Sequence, residues 1–480
     1  MPIEIRVILV FLVAFFSALF VLPQLSHIAN RIGLIDMPNQ RKMHKMLRPL
    51  VGGIGIVISA TFSSLVFVPL AGMRGYFSGL SVLLIIGFLD DFRELGHRKK
   101  FLAQIVATTL LIYLSKVSLA NFGNLLGFGP IVVPDIYWLT WGVTVFCVVG
   151  VTNAVNMIDG IDGLAGGVTF IAFLTFAALS SLSGNSTLML LNLALAGAVL
   201  GFLRYNWAPS VLFMGDAGSL CLGFTLSFMA VALTQGEATL VKPIIVLLVL
   251  AVPISDTIVV MTRRGCNKKS PFKPDRTHLH HILVQHGIDG KKPVKAILLI
   301  CAVLSGVGIV GVIFHIPEPL LFAVFVGYFI LNWFADSLVR RLVRIMDVFQ
   351  RKEKPQNCPT VVHSVFRKLQ TSKFFRGAMR YDVGIELVYH CETSHPPSLP
   401  GTIVNISKTG FLANIDGFGF VCTECAVEIF FPGEGESEAV EMPVEHLWVS
   451  SKDEKQYHGF RFFDLSEEQG RILRGFLDGL

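Results

Sequence analysis

The chain has 480 residues, 53% of them hydrophobic and 15% charged, and a formal net charge of +6. That apolar content excludes an ordinary soluble protein over the whole length. The positive charge gives no reason to expect a nucleic acid polymer as partner, because much of it lies in loops between apolar runs, where basic residues orient a membrane protein. The hydrophobicity is uneven: apolar runs dominate as far as about residue 340, and the rest reads as a mixed soluble region. The eight cysteines are scattered and give no disulfide framework. Cys422 and Cys425 form a lone CxxC, without the second ligand pair that a structural zinc site needs.

Taking about 20 apolar residues per crossing, the sequence predicts about eleven membrane-spanning helices, the first over 3–22 and the last over 319–337. No basic segment precedes the first span, so no cleavable signal peptide is expected. The loop 23–50 carries Arg31, Arg41, Lys42, Lys45 and Arg48; the loop 90–100 carries Arg93, Arg98, Lys99 and Lys100; the loop 262–295 carries nine Lys or Arg. By the positive-inside rule these loops face the cytoplasm, the N-terminus lies outside, and an odd number of spans leaves the C-terminal region cytoplasmic.

Between the first two spans, Asp36, Arg41, Lys42 and His44 precede Gly52 and Gly53. The basic residues there suit lipid phosphate or the membrane surface. The third span ends in GFLDDF, with Asp90 and Asp91 adjacent. Anions are disfavoured at a helix C-terminus, so the pair calls for a positive partner: a metal, Lys99, Lys100 or a substrate-bound cation. Lys100 and Gln104, four residues apart, share one face of the next helix, from which Lys100 can reach back to a phosphate over the Asp pair.

The stretch NAVNMIDGIDGLAGG places Asn156, Asp159 and Asp162 at every third position among glycines. Their oxygens suit a hard cation such as Mg²⁺, and Gly160, Gly163, Gly166 and Gly167 allow close approach of a ligand. In FMGDAGS, Asp216 stands between glycines before the eighth span, with Ser219 at a helix start, placed to bind a metal or act as a base. The loop PDRTHLHH adds Arg276, His278, His280 and His281, which can clamp a diphosphate. A three-His zinc site is the rival there, opposed by the surrounding Lys268, Lys269 and Lys273. Carboxylates beside hydrocarbon are expensive and mark a functional site.

A basic linker, 339–371, leads to short alternating strands and a last helical segment with Ser466 as N-cap, which predicts a small all-β barrel with a terminal helix. Arg376 and Arg380 precede the first strand, and Asn405, Ser407 and Gly410 lie at a strand–turn junction. Arginine pairs with phosphate and stacks on guanine.

In DMPNQRKMH, GFLDD with its downstream lysine, NAVNMIDGIDGLAGG, FMGDAGS and PDRTHLHH, the segment of about 30–285 resembles the polyprenyl-phosphate N-acetylhexosamine-1-phosphate transferases of glycosyltransferase family 4, in their WecA-type rather than muramoyl-pentapeptide branch. The resemblance implies a bacterial inner-membrane enzyme that transfers a sugar 1-phosphate from a UDP-N-acetylhexosamine to undecaprenyl phosphate and releases UMP. UDP-N-acetylglucosamine is the default donor, and Mg²⁺ the cofactor, with Mn²⁺ the other admissible ion. It associates Asp216 and Asn156 with the metal, Asp90 and Asp91 with the metal region and the acceptor, and Lys100, Arg276, His278, His280 and His281 with substrate phosphates. Asp159 and Asp162 complete the expected catalytic set.

Residues 372–480 resemble a PilZ domain, which implies cyclic di-GMP as a ligand of Arg376, Arg380, Asn405, Ser407 and Gly410. Phe375 stands where these domains often carry a further Arg. The expected organisation is therefore a transferase domain over 1–338, the linker, and a cyclic di-GMP sensor over 372–480; a homodimer is left open. A lipid-linked sugar transporter is the rival for the membrane part, but it predicts charges near the bilayer midplane. A module that only contacts protein is the rival for the C-terminal part.

Overall fold

The computed structural model describes residues 2–36, 48–93, 95–235, 239–266, 278–285, 291–339, 381–390, 398–407, 410–415, 424–431, 438–452, 455–462 and 465–479. The chain divides into two compact units, Met1–Cys358 and Pro359–Leu480.

The first unit is helical. Its order is α1 (Ile3–Ile32), a two-residue ladder of β1 (Ile35–Asp36) with β2 (Arg48–Pro49), α2 (Gly52–Phe67), α3 (Arg74–Arg93), α4 (His97–Ser115), α5 (Tyr137–Ile158), α6 (Leu164–Leu182), α7 (Ser186–Asn206), α8 (Gly215–Thr234), α9 (Pro243–Val249), α10 (Ala251–Cys266), α11 (Leu279–Gln285), α12 (Lys292–Ile313) and α13 (Glu318–Trp333).

Among the described residues seven helices (α1, α3, α5, α6, α7, α8 and α12) are long and apolar enough to cross a membrane, or eight if α9 and α10 form one span bent by 77°. The expected count of about eleven is not confirmed. The apolar helices α2 and α13 have only 16 residues each, about 24 Å at 1.5 Å per residue against a hydrocarbon core of about 30 Å. Helix α4 opens with His97, Arg98, Lys99 and Lys100, which interrupt its apolar run.

Helix α8 is the hub of this unit, buried without interruption from Ala217 to Met229. Small residues let other backbones touch it, the usual device where helices pack in an apolar solvent. A Cβ on Gly53 of α2 would lie 2.0 Å from the Cα of Gly218, and one on Gly87 of α3 would lie 2.4 Å from the Cα of Ala217. On the other side, a Cβ on Gly223 would lie 2.7 Å from the Cα of Thr152 in α5. Hydroxyls inside these helices bond back to carbonyls one turn earlier, as Thr152 does to Val148 and Thr225 to Cys221. The close crossings fix α2 and α3 against the first turn of α8, where Asp216 stands, and α5 against the helix further along, at Gly223.

The segment after β2 is stitched to the approach to α8. Phe213 N–H donates to Pro49, and Gly52 and Gly53 donate to the carbonyls of Phe213 and Met214, at 2.8–2.9 Å. The two glycines before the second span thus serve a backbone ladder that carries the FMGD turn.

The second unit is a closed antiparallel barrel in the order β3-β4-β5-β8-β7-β6. Its strands are β3 (Tyr381–His390), β4 (Ser398–Ser407), β5 (Gly410–Ile415), β6 (Glu424–Phe431), β7 (Glu438–Lys452) and β8 (Lys455–Phe462). The barrel core holds Leu387, Ile403, Ile406, Val427, Ile429, Met442 and Val444, and Leu473 and Leu477 of α14 (Glu467–Gly479) close on it. Ser466 caps α14 as expected, reciprocally with Gln469: each accepts from the other's backbone N–H, at 3.2 and 2.8 Å. The longest strand, β7, has no counterpart in the sequence reading. Glu438, Glu441, Glu445 and Pro443 hide an alternation in which Met442 and Val444 are buried.

Candidate active site

Four helix ends, those of α3, α4, α5 and α8, meet at one point in the first unit. Lys100 Nζ, from the first turn of α4, lies 2.6 Å from Asp90 Oδ2 and 2.9 Å from Asp216 Oδ2. Asn156 Nδ2, from the last turn of α5, donates to the other oxygen of Asp216 at 2.5 Å and to Ser219 Oγ at 2.8 Å. Ser219 in turn donates to the carbonyl of Gly215 at 3.2 Å. Beside Asn156, Gln104 and Asn153 exchange amide bonds between α4 and α5, the tighter of them 2.6 Å. The positive partner that the Asp pair needs is therefore Lys100, shared with a third carboxylate 126 residues away from Asp90 in sequence.

Asp91 has a different occupation from its neighbour. Its two oxygens accept the backbone N–H groups of Asp216 and Ala217, at 2.7 and 3.0 Å. A carboxylate that is misplaced at the C-terminus of α3 is thus well placed at the N-terminus of α8, where orphan donors and the helix dipole favour it. Gly215 makes room for this contact. It adopts a left-handed φ of 73°, and a Cβ there would lie 2.6 Å from Asp91 Oδ2.

The two aspartates of the NMIDGID turn also separate. Asp162 is tied down: Arg48 Nη1 lies 3.2 Å from its Oδ1, and the N–H of Ser210 donates to its Oδ2 at 3.0 Å. Arg48 also donates to Ser210 Oγ at 2.7 Å and stands over the Phe213 ring. Arg48, read from the sequence only as a topogenic charge, here joins the NMIDGID and FMGD motifs. Asp159, at the C-terminal cap of α5, is half-buried. Burial, reinforced by the charges of Asp216 and Asp162, pushes its carboxyl up to about 7.

The histidine segment packs on the same turn. His280 is buried, and a Cβ on Gly160 would lie 2.6 Å from its Nε2, so the glycine between Asp159 and Asp162 is what admits the ring. Burial, then the neighbouring His281, lowers the His280 pKa to about 3. The His278 and His280 rings stack at 5.6 Å, and those of His280 and His281 lie 4.1 Å apart. His278 Nδ1 lies 2.8 Å from Asp256 Oδ2, and the other oxygen of Asp256 accepts the N–H of Leu279 at 2.9 Å. Asp256 escaped the sequence reading because it lies inside an apolar run assigned to a span. The rule that flagged the other carboxylates, an acid beside hydrocarbon, applies to it equally. Arg276 lies outside the described residues, as do Arg376 and Arg380.

Asp90 Oδ1 is buried and has no hydrogen-bond partner, an acceptor that a cation satisfies. With Asp216 it offers hard oxygen ligands that fit a divalent cation of the Mg²⁺ type. Asn156 presents its amide nitrogen, not its oxygen, to Asp216, so it orients that carboxylate in this arrangement. No group of three or more His, Cys, Asp or Glu among the described residues stands ready to hold a metal alone.

In the barrel, Ser407 pairs with Gly410 at the β4–β5 turn, and Asn405 stands opposite Asp382 of β3 and Leu412 of β5. The three positions named from the sequence therefore share one end of two adjacent strands.

The family described as glycosyl transferase family 4 matches residues 73–234, the stretch from α3 to α8 that carries Asp90, Asp91, Asp159, Asp162, Asp216, Lys100 and Asn156. The PilZ domain family matches residues 370–479. A probable undecaprenyl-phosphate N-acetylglucosaminyl 1-phosphate transferase of Bacillus subtilis (strain 168) is 33% identical over 306 residues, covering 63% of this chain and 84% of the relative. An undecaprenyl-phosphate alpha-N-acetylglucosaminyl 1-phosphate transferase of Haemophilus influenzae is 33% identical over 348 residues, covering 69% of this chain and 96% of the relative. Among solved structures, the PilZ domain of YcgR from Escherichia coli, with c-di-GMP, is 15% identical with a TM-score of 0.19, covering 22% of this chain and 90% of that one.

Proposed function

The chain belongs to glycosyl transferase family 4, with a PilZ domain at its C-terminal end, and from that premise we propose that it transfers N-acetylglucosamine 1-phosphate from UDP-N-acetylglucosamine to undecaprenyl phosphate, releasing UMP. The observation that carries this reading is the bridge of Lys100 between Asp90 and Asp216, because it brings GFLDD with its downstream lysine and FMGDAGS to one point at the helix ends, where Asn156 also bonds to Asp216. Both substrates are polyanions and repel each other. A Mg²⁺ held by Asp216 and Asp90 supplies neutralisation of the phosphate charge.

The side chains divide the remaining work. Lys100 is drawn to the site by the two carboxylates and offers its ammonium to the phosphates, stabilising charge that develops on them. Asn156 orients Asp216, while Asp91 holds the backbone that carries it. The acceptor phosphate is already ionised at neutral pH, so positioning counts for more than removal of a proton. The resemblance assigns the donor diphosphate to Arg276, His278, His280 and His281, and the packing of His280 on Gly160 supports a site shared by the histidine segment and the Asp159–Asp162 turn. The N-terminus lies outside the bacterial inner membrane and the site faces the cytoplasm, where nucleotide sugars are made; the loop charges support this orientation.

Residues 372–480 form a sensor for cyclic di-GMP, read by Arg376, Arg380, Asn405, Ser407 and Gly410, and occupancy of the sensor alters transferase rate. Regulation of this kind requires that the nucleotide bind two states of the enzyme with different affinity. The test is UMP release from membranes given undecaprenyl phosphate and a panel of UDP-N-acetylhexosamines, with and without cyclic di-GMP. Release with another UDP-N-acetylhexosamine and none with UDP-N-acetylglucosamine overturns the choice of donor. No release with any of them overturns the transferase reading.

A further inference from the structure

Asp256 lies in α10, outside the five family motifs, and is 4% exposed. Both of its oxygens are engaged by the start of α11: one faces His278 Nδ1 at 2.8 Å, the other accepts the N–H of Leu279 at 2.9 Å. His278, His280 and His281 sit on that short helix or just before it. A buried carboxylate that takes a ring N–H and a backbone N–H together fixes both the ring and the chain that bears it.

The consequence reaches the Asp159–Asp162 turn. His280 is 1% exposed and lies so close to Gly160 that a Cβ there would meet its ring nitrogen at 2.6 Å. Its Nε2 is buried without a hydrogen-bond partner. The ring is therefore located by packing, and the packing is set by where α11 begins. Asp256 holds that start with both of its oxygens.

We propose that Asp256 is a positioning residue of the transferase reaction, which through His278 and the first amide of α11 sets the place of His280 against the Asp159–Asp162 turn. The proposal rests on the transferase reading, since it gives the histidines and the turn a shared substrate. It adds a residue that acts without touching that substrate. Carboxylates that orient metal-ligating histidines are worth about 10- to 100-fold when removed, and a loss of that order is expected here.

The test uses the purified full-length chain in lipid nanodiscs, with Asp256→Ala, Asp256→Asn, His278→Ala and the double variant Asp256→Ala/His278→Ala. Two readouts are taken: the steady-state constants of UMP release, and backbone hydrogen exchange of residues 159–163 and 279–285. Asp256→Ala is expected to lower kcat by about 10- to 100-fold while leaving the KM for undecaprenyl phosphate within about twofold. Asp256→Asn keeps an oxygen for Leu279 N–H and is expected to fall between wild type and Ala. The double variant is expected to lose no more than the worse single one, since coupled residues are not additive. Exchange is expected to rise at both segments.

Additive losses in the double variant, or faster exchange confined to 279–285, overturn the proposal. So does a folded Asp256→Ala enzyme with wild-type kcat. If Asp256→Ala fails to fold, the isosteric Asn variant decides: wild-type kcat with unchanged exchange overturns the proposal. A wild-type chain that releases no UMP with any UDP-N-acetylhexosamine overturns the transferase reading instead, and the exchange data then report whether Asp256 still orders the turn.

Discussion

Asp91 closes the N-terminus of the helix that begins with Asp216: its carboxylate accepts the backbone N–H of Asp216 itself at 2.7 Å and that of Ala217 at 3.0 Å. The two adjacent acids of GFLDDF thus have separate duties. Asp90 faces Lys100 and keeps one buried oxygen without a partner, whereas Asp91 spends both oxygens on a helix cap.

Asp91→Ala is expected to cost about 1–2 kcal/mol of stability, the range for loss of a helix cap. Asp91→Asn retains one acceptor and is expected to lose less. Thermal unfolding of the purified protein measures the difference; an Asp91→Ala protein as stable as wild type contradicts the capping role.

Lys100→Met leaves Asp90 and Asp216 without their shared cation. Loss of one such electrostatic contact to a reacting group costs about 100- to 1,000-fold in kcat. Lys100→Arg keeps the charge in a different shape and is expected to recover only part of the rate. UMP release under saturating donor reads both.

Gly160→Ala is expected to displace His280, because the new methyl group would lie 2.6 Å from its Nε2. Gly150→Ala in α5 is the control, since a Cβ there meets nothing within 4 Å. The first should lower kcat by at least about tenfold, in the range of lost ring orientation, and the second should leave kcat unchanged.

Acid should expose the burial of His280. Burial lowers its pKa to about 3 in the folded protein, whereas the unfolded side chain titrates at about 6.5. Between those values the unfolded state binds the extra proton, so stability is full above about pH 6.5 and falls as pH drops toward 3, by at most about 1.4 kcal/mol per pH unit. His280→Phe removes that loss. The unfolding midpoint of the variant should therefore fall less steeply than that of wild type between pH 6.5 and 4; parallel curves contradict a buried neutral ring.

Much of this was readable from the chain alone, and for a physical reason. Acids and glycines beside long apolar runs stand out against hydrocarbon, so Asp90, Asp91, Asp159, Asp162 and Asp216 are visible in the sequence, and Lys100 is among the partners that the Asp pair calls for. The other partners are not. Asp91 is satisfied by backbone N–H groups, which every residue carries and no motif advertises. Arg48 was indistinguishable from other loop charges until the fold brought it to Asp162. Asp256 was hidden by its apolar neighbours, and β7 by the glutamates and proline interspersed along it. The count of about eleven spans is not confirmed, because α2 and α13 have only 16 residues each and α4 is basic at its start.

The C-terminal sensor makes its own prediction. Arg376→Ala/Arg380→Ala in the full chain should lose cyclic di-GMP binding by calorimetry, and the nucleotide should then no longer change the rate of UMP release. Binding at wild-type affinity contradicts the assignment of those two arginines.

The central claim is that Asp216, held by Asn156 and facing Lys100, serves transfer of a sugar 1-phosphate. Its most direct measurement is the release of UMP by membranes carrying wild-type or Asp216→Asn protein, supplied with UDP-N-acetylglucosamine, undecaprenyl phosphate and Mg²⁺. Wild type is expected to release UMP in step with lipid-linked N-acetylglucosamine 1-phosphate, and the variant to insert normally and release none. Full activity in the Asp216→Asn protein contradicts it.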